Sequence, residues 1–325
     1  MPSTVTHSYF IMDIYDRLPI KRKIFLKENK ENLKVFAQST DPLNFYFSLN
    51  LKKGAKVRNF AYYFHTHKTR EFLITLTNYI KYNYYTNRPE VIAYLYAMIS
   101  HYVMDSTIHP YVYYKTGQFR KNDRETYKYN GKHHEFETAI DKYLIKIREN
   151  ILPYKYKHYK YSFNIDSMSK ELKEVINFSY KEAFNISKMD TVMLKSIKNM
   201  KLAFKVLRYD PCGIKSNIYQ IIDKITSSRA LKIKFASYHY TIKDIDYLNN
   251  EHKTWYNPTT KRKKYNSSFI DLYILSLERA LNIIKNIDLY LYEDKKINLE
   301  KLFGNVSYAT GVDLDKNQEL KYFEF

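Results

Sequence analysis

Seven of the ten histidines, His7, His65, His67, His101, His109, His133 and His134, fall before residue 135. Neutral imidazole and carboxylate are both good zinc ligands, so the spacing of these histidines from acids is the first thing to read. In HYVMDSTIHP, His101 and Asp105 stand four apart in a strongly helical run. Their side chains then project from one face and can reach a common ion. His109 lies one further step along that face, but Pro110 disfavours helical geometry at the residue before it. The expectation is a His109 just past the helix end, placed to serve a neighbouring metal. In NGKHHEFETAID, His133 and Glu137 are again four apart. They follow an Asn130-Gly131 breaker and so lie near a helix start; His134 points about a quarter-turn away.

A single His/acid pair at this spacing is most often a surface ion pair. Two such pairs with His109 between them are harder to dismiss. In FHTHKT, His65 and His67 face nearly opposite ways on a helix but share a side on an extended segment, and one ligand is expected rather than two. Taken alone, His7 in THSYF reads as a satisfied or exposed histidine, and Asp41 in STDPL as a turn or N-cap residue.

The background is that of a helical globular protein: 325 residues, 45% hydrophobic, with 6 Gly and 8 Pro, enough chain for one large or two smaller domains. Apolar residues recur at three- and four-residue spacing over 71–84, 89–104 and 135–151, with further helices expected at 167–183, 191–207, 214–227 and 268–291. Asp210-Pro211-Cys212-Gly213 punctuates two of these. Strand-like alternation is confined to short pieces such as 231–240, so the predicted class is all-α. A soft boundary falls at the Lys/Tyr alternation YKYKHYKY after Pro153, read as a solvated connection. It divides a metal-binding core, 1–155, from a helical extension, 156–325, packed on it.

A lone cysteine, Cys212, cannot form an internal disulfide and excludes a cysteine-based zinc finger. The N-terminal segment has acids where a secretory leader needs an apolar core, and the most apolar stretch, 91–99, is too short to span a bilayer. The expectation is a soluble, cytoplasmic protein. A formal charge of +20 favours anionic partners such as nucleic acid, a phospholipid surface or a phosphorylated small molecule. The abundance of lysine, asparagine, isoleucine and tyrosine is also what AT-rich coding produces without selection for any ligand.

Taken in order, THSYF, DP, FHTHK, HYVMD, HP and HHEFE resemble the zinc-dependent phospholipase C family over roughly residues 1–150. That resemblance implies an all-helical fold, shared with the S1/P1-type nucleases, that holds a cluster of three zinc ions. It puts the family's early histidine on His7, its metal-binding aspartate on Asp41 and its next histidine on His65, with His67 the alternate. Its helix pair falls on His101 and Asp105, the latter bridging two ions, and its remaining ligands on His109, His133 and Glu137. Two or three zinc ions are therefore expected, with His67, His134 and His158 outside the ligand set. Zinc generates a nucleophile at neutral pH, and Asp41 is the expected acceptor of the water's proton.

No comparable constellation appears beyond residue 150. EHKTWYNP, with Trp255, is read as a structural turn or a pocket mouth, KRKK at 261–264 as a solvated loop that can meet anionic lipid, and His158 and His239 as surface histidines. The function expected is phosphodiester hydrolysis on a phospholipid or related ester, with peripheral contact to an anionic membrane. Two alternatives stand beside it: a single-strand nuclease on the same metals, for which tyrosines and lysines supply stacking and phosphate contacts, and a non-catalytic metal-binding scaffold in which the cluster has lost an ion. The sequence leaves the oligomeric state open.

Overall fold

The computed structural model describes residues 4–208, 210, 212–225, 233 and 245–324. Among the described residues the helices are α1 (Thr4–Arg17), α2 (Ile20–Leu26), α3 (Lys30–Phe36), α4 (Leu51–Thr66), α5 (Thr69–Tyr82), α6 (Pro89–Thr116), α7 (Lys132–Glu149), α8 (His158–Tyr161), α9 (Lys170–Phe184), α10 (Met189–Val206), α11 (Ile214–Ile225), α12 (Phe269–Tyr292) and α13 (Leu299–Phe303). Short 3-10 turns, among them Asp41–Phe45, join them. The fold is all-α, and among the described residues the strands form one small antiparallel hairpin, β1 (Trp255–Asn257) and β2 (Thr260–Tyr265).

α6 organises the molecule. Every residue from Val91 to Ser106 is buried, the all-round burial expected of a helix at the centre of a core rather than on its surface. It packs against α1, α3, α5, α7, α9 and α12 and against β1. One apolar core runs from Phe10 on α1 to Tyr308 near the C-terminus.

α6 does not stop before Pro110, as the sequence predicted, but runs on to Thr116 with the proline inside it. Proline removes the hydrogen bond to the carbonyl four residues back and crowds it, at a cost of about 3 kcal/mol. Burial of Ile108, Pro110, Tyr111 and Val112 offsets that cost. The freed Ser106 carbonyl is covered by Gly311, whose φ is +64°; a Cβ there would fall 2.4 Å from the Ser106 oxygen. His109 is therefore a helical residue, one turn beyond Asp105.

Other expectations also change. The YKYKHYKY segment is not simply a solvated connection, because it forms a turn and α8, with His158 and Tyr159 buried. His158 lies against the edge of the Phe204 ring, 4.5 Å between centroids, so it is no surface histidine. Trp255 is in the core between Tyr111 and Tyr265, not at a pocket mouth. KRKK lies on β2, paired with β1, although its side chains remain exposed. His239 and the 231–240 segment lie outside the described residues.

Candidate metal centre

The centre is assembled on α6, where His101, Asp105 and His109 succeed one another on one face. α1 brings His7 from its first turn, fixed by Asp141 of α7. That carboxylate accepts the backbone N–H groups of Val5 (3.2 Å) and Thr6 (2.9 Å) and the Thr6 hydroxyl (2.6 Å), satisfying donors that a helix start leaves free. Asp41 opens the 3-10 turn that Pro42 follows, His65 sits in the last turn of α4, and His133 and Glu137 occupy the first turns of α7.

The distances show what this achieves. Asp105 Oδ2 lies 3.0 Å from His101 Nε2, 3.3 Å from His65 Nε2 and 3.6 Å from His109 Nδ1, while its Oδ1 is 3.2 Å from His7 Nε2. Asp41 Oδ1 is 3.6 Å from His65 Nε2. Glu137 Oε1 is 3.1 Å from His133 Nε2 and 3.4 Å from His109 Nε2. Three groups emerge, each with donor atoms within 4.8 Å of one another: His7, His101 and Asp105; Asp41, His65 and His101; His109, His133 and Glu137. The eight residues singled out in the sequence are thus brought together. His67 is not among them: its backbone is extended at the end of α4 and its exposed ring stacks on Tyr63 at 3.9 Å. His134 lines the adjoining cavity.

Whether these residues suit a divalent ion can be tested on their hydrogen bonds. His65 Nδ1 meets the Ala61 carbonyl at 2.6 Å and His101 Nδ1 meets the Ala37 carbonyl at 2.9 Å. A carbonyl only accepts, so each Nδ1 carries a hydrogen and each neutral ring turns a lone pair outward at Nε2. Those two Nε2 atoms are 3.1 Å apart. Lone pairs so close require a positive charge between them, supplied by a proton or a metal ion. His109 Nδ1 likewise donates to the Tyr308 carbonyl at 2.9 Å, leaving Nε2 for Glu137. Backbone partners of this kind are what orient metal-ligating histidines. His7 Nδ1, His133 Nδ1 and Glu137 Oε2 are buried with no hydrogen-bond partner, a costly arrangement unless a ligand completes it.

Electrostatics agree. Burial favours the neutral acid at Asp105, but His101 and His109 outweigh it and hold the carboxyl well below its usual range. Burial is outweighed in the same way at Glu137, where His133 is the main opposing influence. Burial also disfavours a charged His101 and His109, yet Asp105 raises both, His109 to about 9. Burial pulls His7 and His133 down, and in these two the nearby carboxylates do not restore the loss. The carboxylates thus favour positive charge at His101 and His109, charge that a divalent ion would also supply. The residues fit zinc, which takes three or four nitrogen and oxygen ligands.

A cavity of about 460 Å³ opens onto this cluster, with Asp41, His65, His109 and His133 in its floor. Tyr62, Tyr113, Phe119 and Tyr129 supply aromatic walls, and Gln118 and Arg120 its polar rim. Arg120 Nε donates to Gln118 Oε1 at 3.0 Å and Gln118 Nε2 to the Tyr62 hydroxyl at 3.3 Å. Gly117 (φ +68°) precedes them; a Cβ there would meet the Tyr129 ring at 2.3 Å.

Sequence reading missed the C-terminal contribution. The Tyr308 N–H donates to the His65 carbonyl at 2.9 Å and its own carbonyl receives His109 Nδ1, so the backbone of one residue ties two of the clustered histidines together. It acts through backbone, and no residue type announces it.

No helix among the described residues is long and apolar enough to cross a membrane. No curated protein and no solved structure matches the chain. The family model described as zinc dependent phospholipase C matches residues 6–188, a span that contains all eight clustered residues. By its sequence, its helical fold and this cluster, the chain belongs to the zinc dependent phospholipase C family.

Proposed function

We propose that the protein is a zinc-dependent phosphodiester hydrolase of the phospholipase C type, with Asp41, His65, His101 and Asp105 holding one ion, His109, His133 and Glu137 a second, and His7 with Asp105 contributing to a third. The observation that carries this reading is the pair of facing Nε2 atoms of His65 and His101, flanked by the carboxylates of Asp41 and Asp105. Zinc, when bound, supplies a nucleophile at neutral pH and stabilises charge on the phosphoryl oxygens and the departing alkoxide.

The chain's own residues do the rest. Asp105 divides its two oxygens between histidines on either side and would hold ions bound there. Asp41 faces the cavity from the floor of the cluster and takes the proton of the attacking water at a carboxylate oxygen. Gln118 and Arg120 meet the anionic part of the ester at the rim, while the aromatic walls keep water away from the reacting atoms. The 156–325 segment acts as an extension packed on the metal-binding core of 1–155, with residues 307–311 bracing the centre from behind.

The aromatic walls with Arg120 also support a second reading, single-stranded nucleic acid as substrate, because such walls stack bases. One experiment separates the two. Zinc-loaded protein is incubated with phosphatidylcholine and other phospholipids and with single-stranded DNA, and phosphorus NMR follows the products. Release of a phosphorylated headgroup that stops with chelator and returns with zinc supports the lipid reading. Cleavage of DNA alone supports the nuclease, and no hydrolysis of any ester favours a metal-binding scaffold.

A further inference from the structure

From the end of the Asp41–Phe45 turn to the first residue of α4 the chain projects three large apolar side chains into solvent. Phe47 is 63% exposed, Leu49 92% and Leu51 77%. Single exposed apolar residues are ordinary, whereas three on one short projection mark a contact surface. The projection is held in place on both sides. Tyr46 is buried and its carbonyl accepts from the Arg58 guanidinium at 2.9 Å. Asn50 caps α4, its side chain accepting the Lys53 N–H at 3.0 Å. Framed in this way, the apolar side chains are displayed rather than folded back onto the core.

The charge around the projection is one-sided. Lys52, Lys53 and Lys56 are exposed on the first turns of α4, and the sequence from Pro42 to Arg70 contains no aspartate or glutamate. A second copy docking through this patch about a two-fold axis would set the same lysines against each other. An anionic bilayer supplies both things the patch lacks, negative charge at its surface and hydrocarbon beneath it. The projection also adjoins the cavity. Asn44, three residues before Phe47, lines it, and so does Tyr62, about 16 Å from Leu51 along the axis of α4.

We propose that residues 46–53 are a membrane-docking element, which inserts Phe47, Leu49 and Leu51 into the interface of an anionic phospholipid bilayer and sets Lys52, Lys53 and Lys56 on its headgroups. Its purpose, delivery of the cavity to lipid, rests on the phosphodiesterase reading above; the docking itself is measured without turnover. The full zinc-loaded chain is sedimented with sucrose-loaded vesicles of phosphatidylcholine alone and of phosphatidylcholine with phosphatidylglycerol. Binding is expected to be at least about tenfold tighter to the anionic vesicles, because each lysine near such a surface is worth about one kT or more. The combined Phe47→Ser, Leu49→Ser, Leu51→Ser variant should bind those vesicles about tenfold or more weakly, and Lys52→Glu with Lys53→Glu should erase the preference for them. Leu49→Ser alone, at a fully solvated position, should lose binding several-fold even if the combined variant folds poorly. Equal binding by wild type and Leu49→Ser, no binding of wild type to either vesicle, or a solution dimer that Leu49→Ser dissociates would each overturn the proposal. Vesicle binding without hydrolysis of any ester would count against the enzymatic reading alone. Hydrolysis of a dissolved short-chain phospholipid, with vesicle binding insensitive to the projection, would count against docking alone.

Discussion

Asp105 and His7 meet at 3.2 Å through the Asp105 Oδ1 atom, which leaves Oδ2 free to face His101 at 3.0 Å. One carboxylate thus serves both sides of the centre, as a bridging ligand must. On the proposed arrangement Asp105→Asn would remove a negative charge that two ions share, so zinc content should fall by more than one ion per chain and hydrolysis should nearly cease. Glu137→Gln, confined to the His109 and His133 group, should lose one. Circular dichroism should show the helices retained in both, since packing spread over many apolar faces supplies most helical stability. Equal single-ion losses would remove the bridge from the account.

His65→Ala should lower zinc content, whereas His67→Ala should leave it unchanged. The two side chains lie on opposite sides of the end of α4, one buried beside His101 and the other exposed against Tyr63. Metal analysis of both variants, with equal losses as the contrary result, checks this.

Much of this was legible in the sequence because its signals are local. The helical spacing of HYVMD and HHEFE placed His101 with Asp105 and His133 with Glu137 on shared faces, and the apolar periodicity located α5, α7, α9, α10 and α12 to within a few residues. Pro110 misled because the penalty of a helical proline is local while its compensation, the burial of Ile108, Pro110, Tyr111 and Val112, comes from tertiary packing. Tyr308 was invisible for the same reason, as was the carbonyl of Ala37 beneath His101. His158 was misread because its burial depends on Phe204 of α10, a contact that no spacing near residue 158 encodes.

Gly311→Ala should destabilise the fold by about 2 kcal/mol or more, through the left-handed φ of +64° and the collision of a Cβ with the Ser106 carbonyl. Because that carbonyl lies between Asp105 and His109 on α6, weakened zinc retention should accompany the loss. Urea denaturation and metal analysis measure the two effects, and unchanged stability would show that the segment yields freely.

Asp141→Ala should cost about 2–4 kcal/mol, because it leaves the buried N–H groups of Val5 and Thr6 and the Thr6 hydroxyl without their shared acceptor. α1 should loosen at its start, where His7 lies, so hydrogen exchange at residues 5–8 should rise more than at α12. Uniform exchange across both helices would contradict the anchoring role.

Burial lowers the His158 pKa from 6.5 to about 3. Between those values the unfolded chain binds a proton that the folded chain refuses, so this contribution is intact above pH 6.5 and is lost progressively as pH falls towards 3. From pH 6.5 to 5 the loss is about 2 kcal/mol. His158→Gln should show a shallower decline than wild type over that window in urea denaturation at matched pH. Parallel declines would mean that His158 is protonated in the folded protein.

The proposed zinc centre draws on eight histidines and carboxylates, six of them buried and two, His109 and His133, half-buried. Its most direct measurement is the transition-metal content of purified protein by mass spectrometry, after isolation without chelators and with removal of loosely bound ions. Two or three zinc ions per chain are predicted. A folded protein that retains no transition metal, even after zinc is offered and excess removed, would contradict the account.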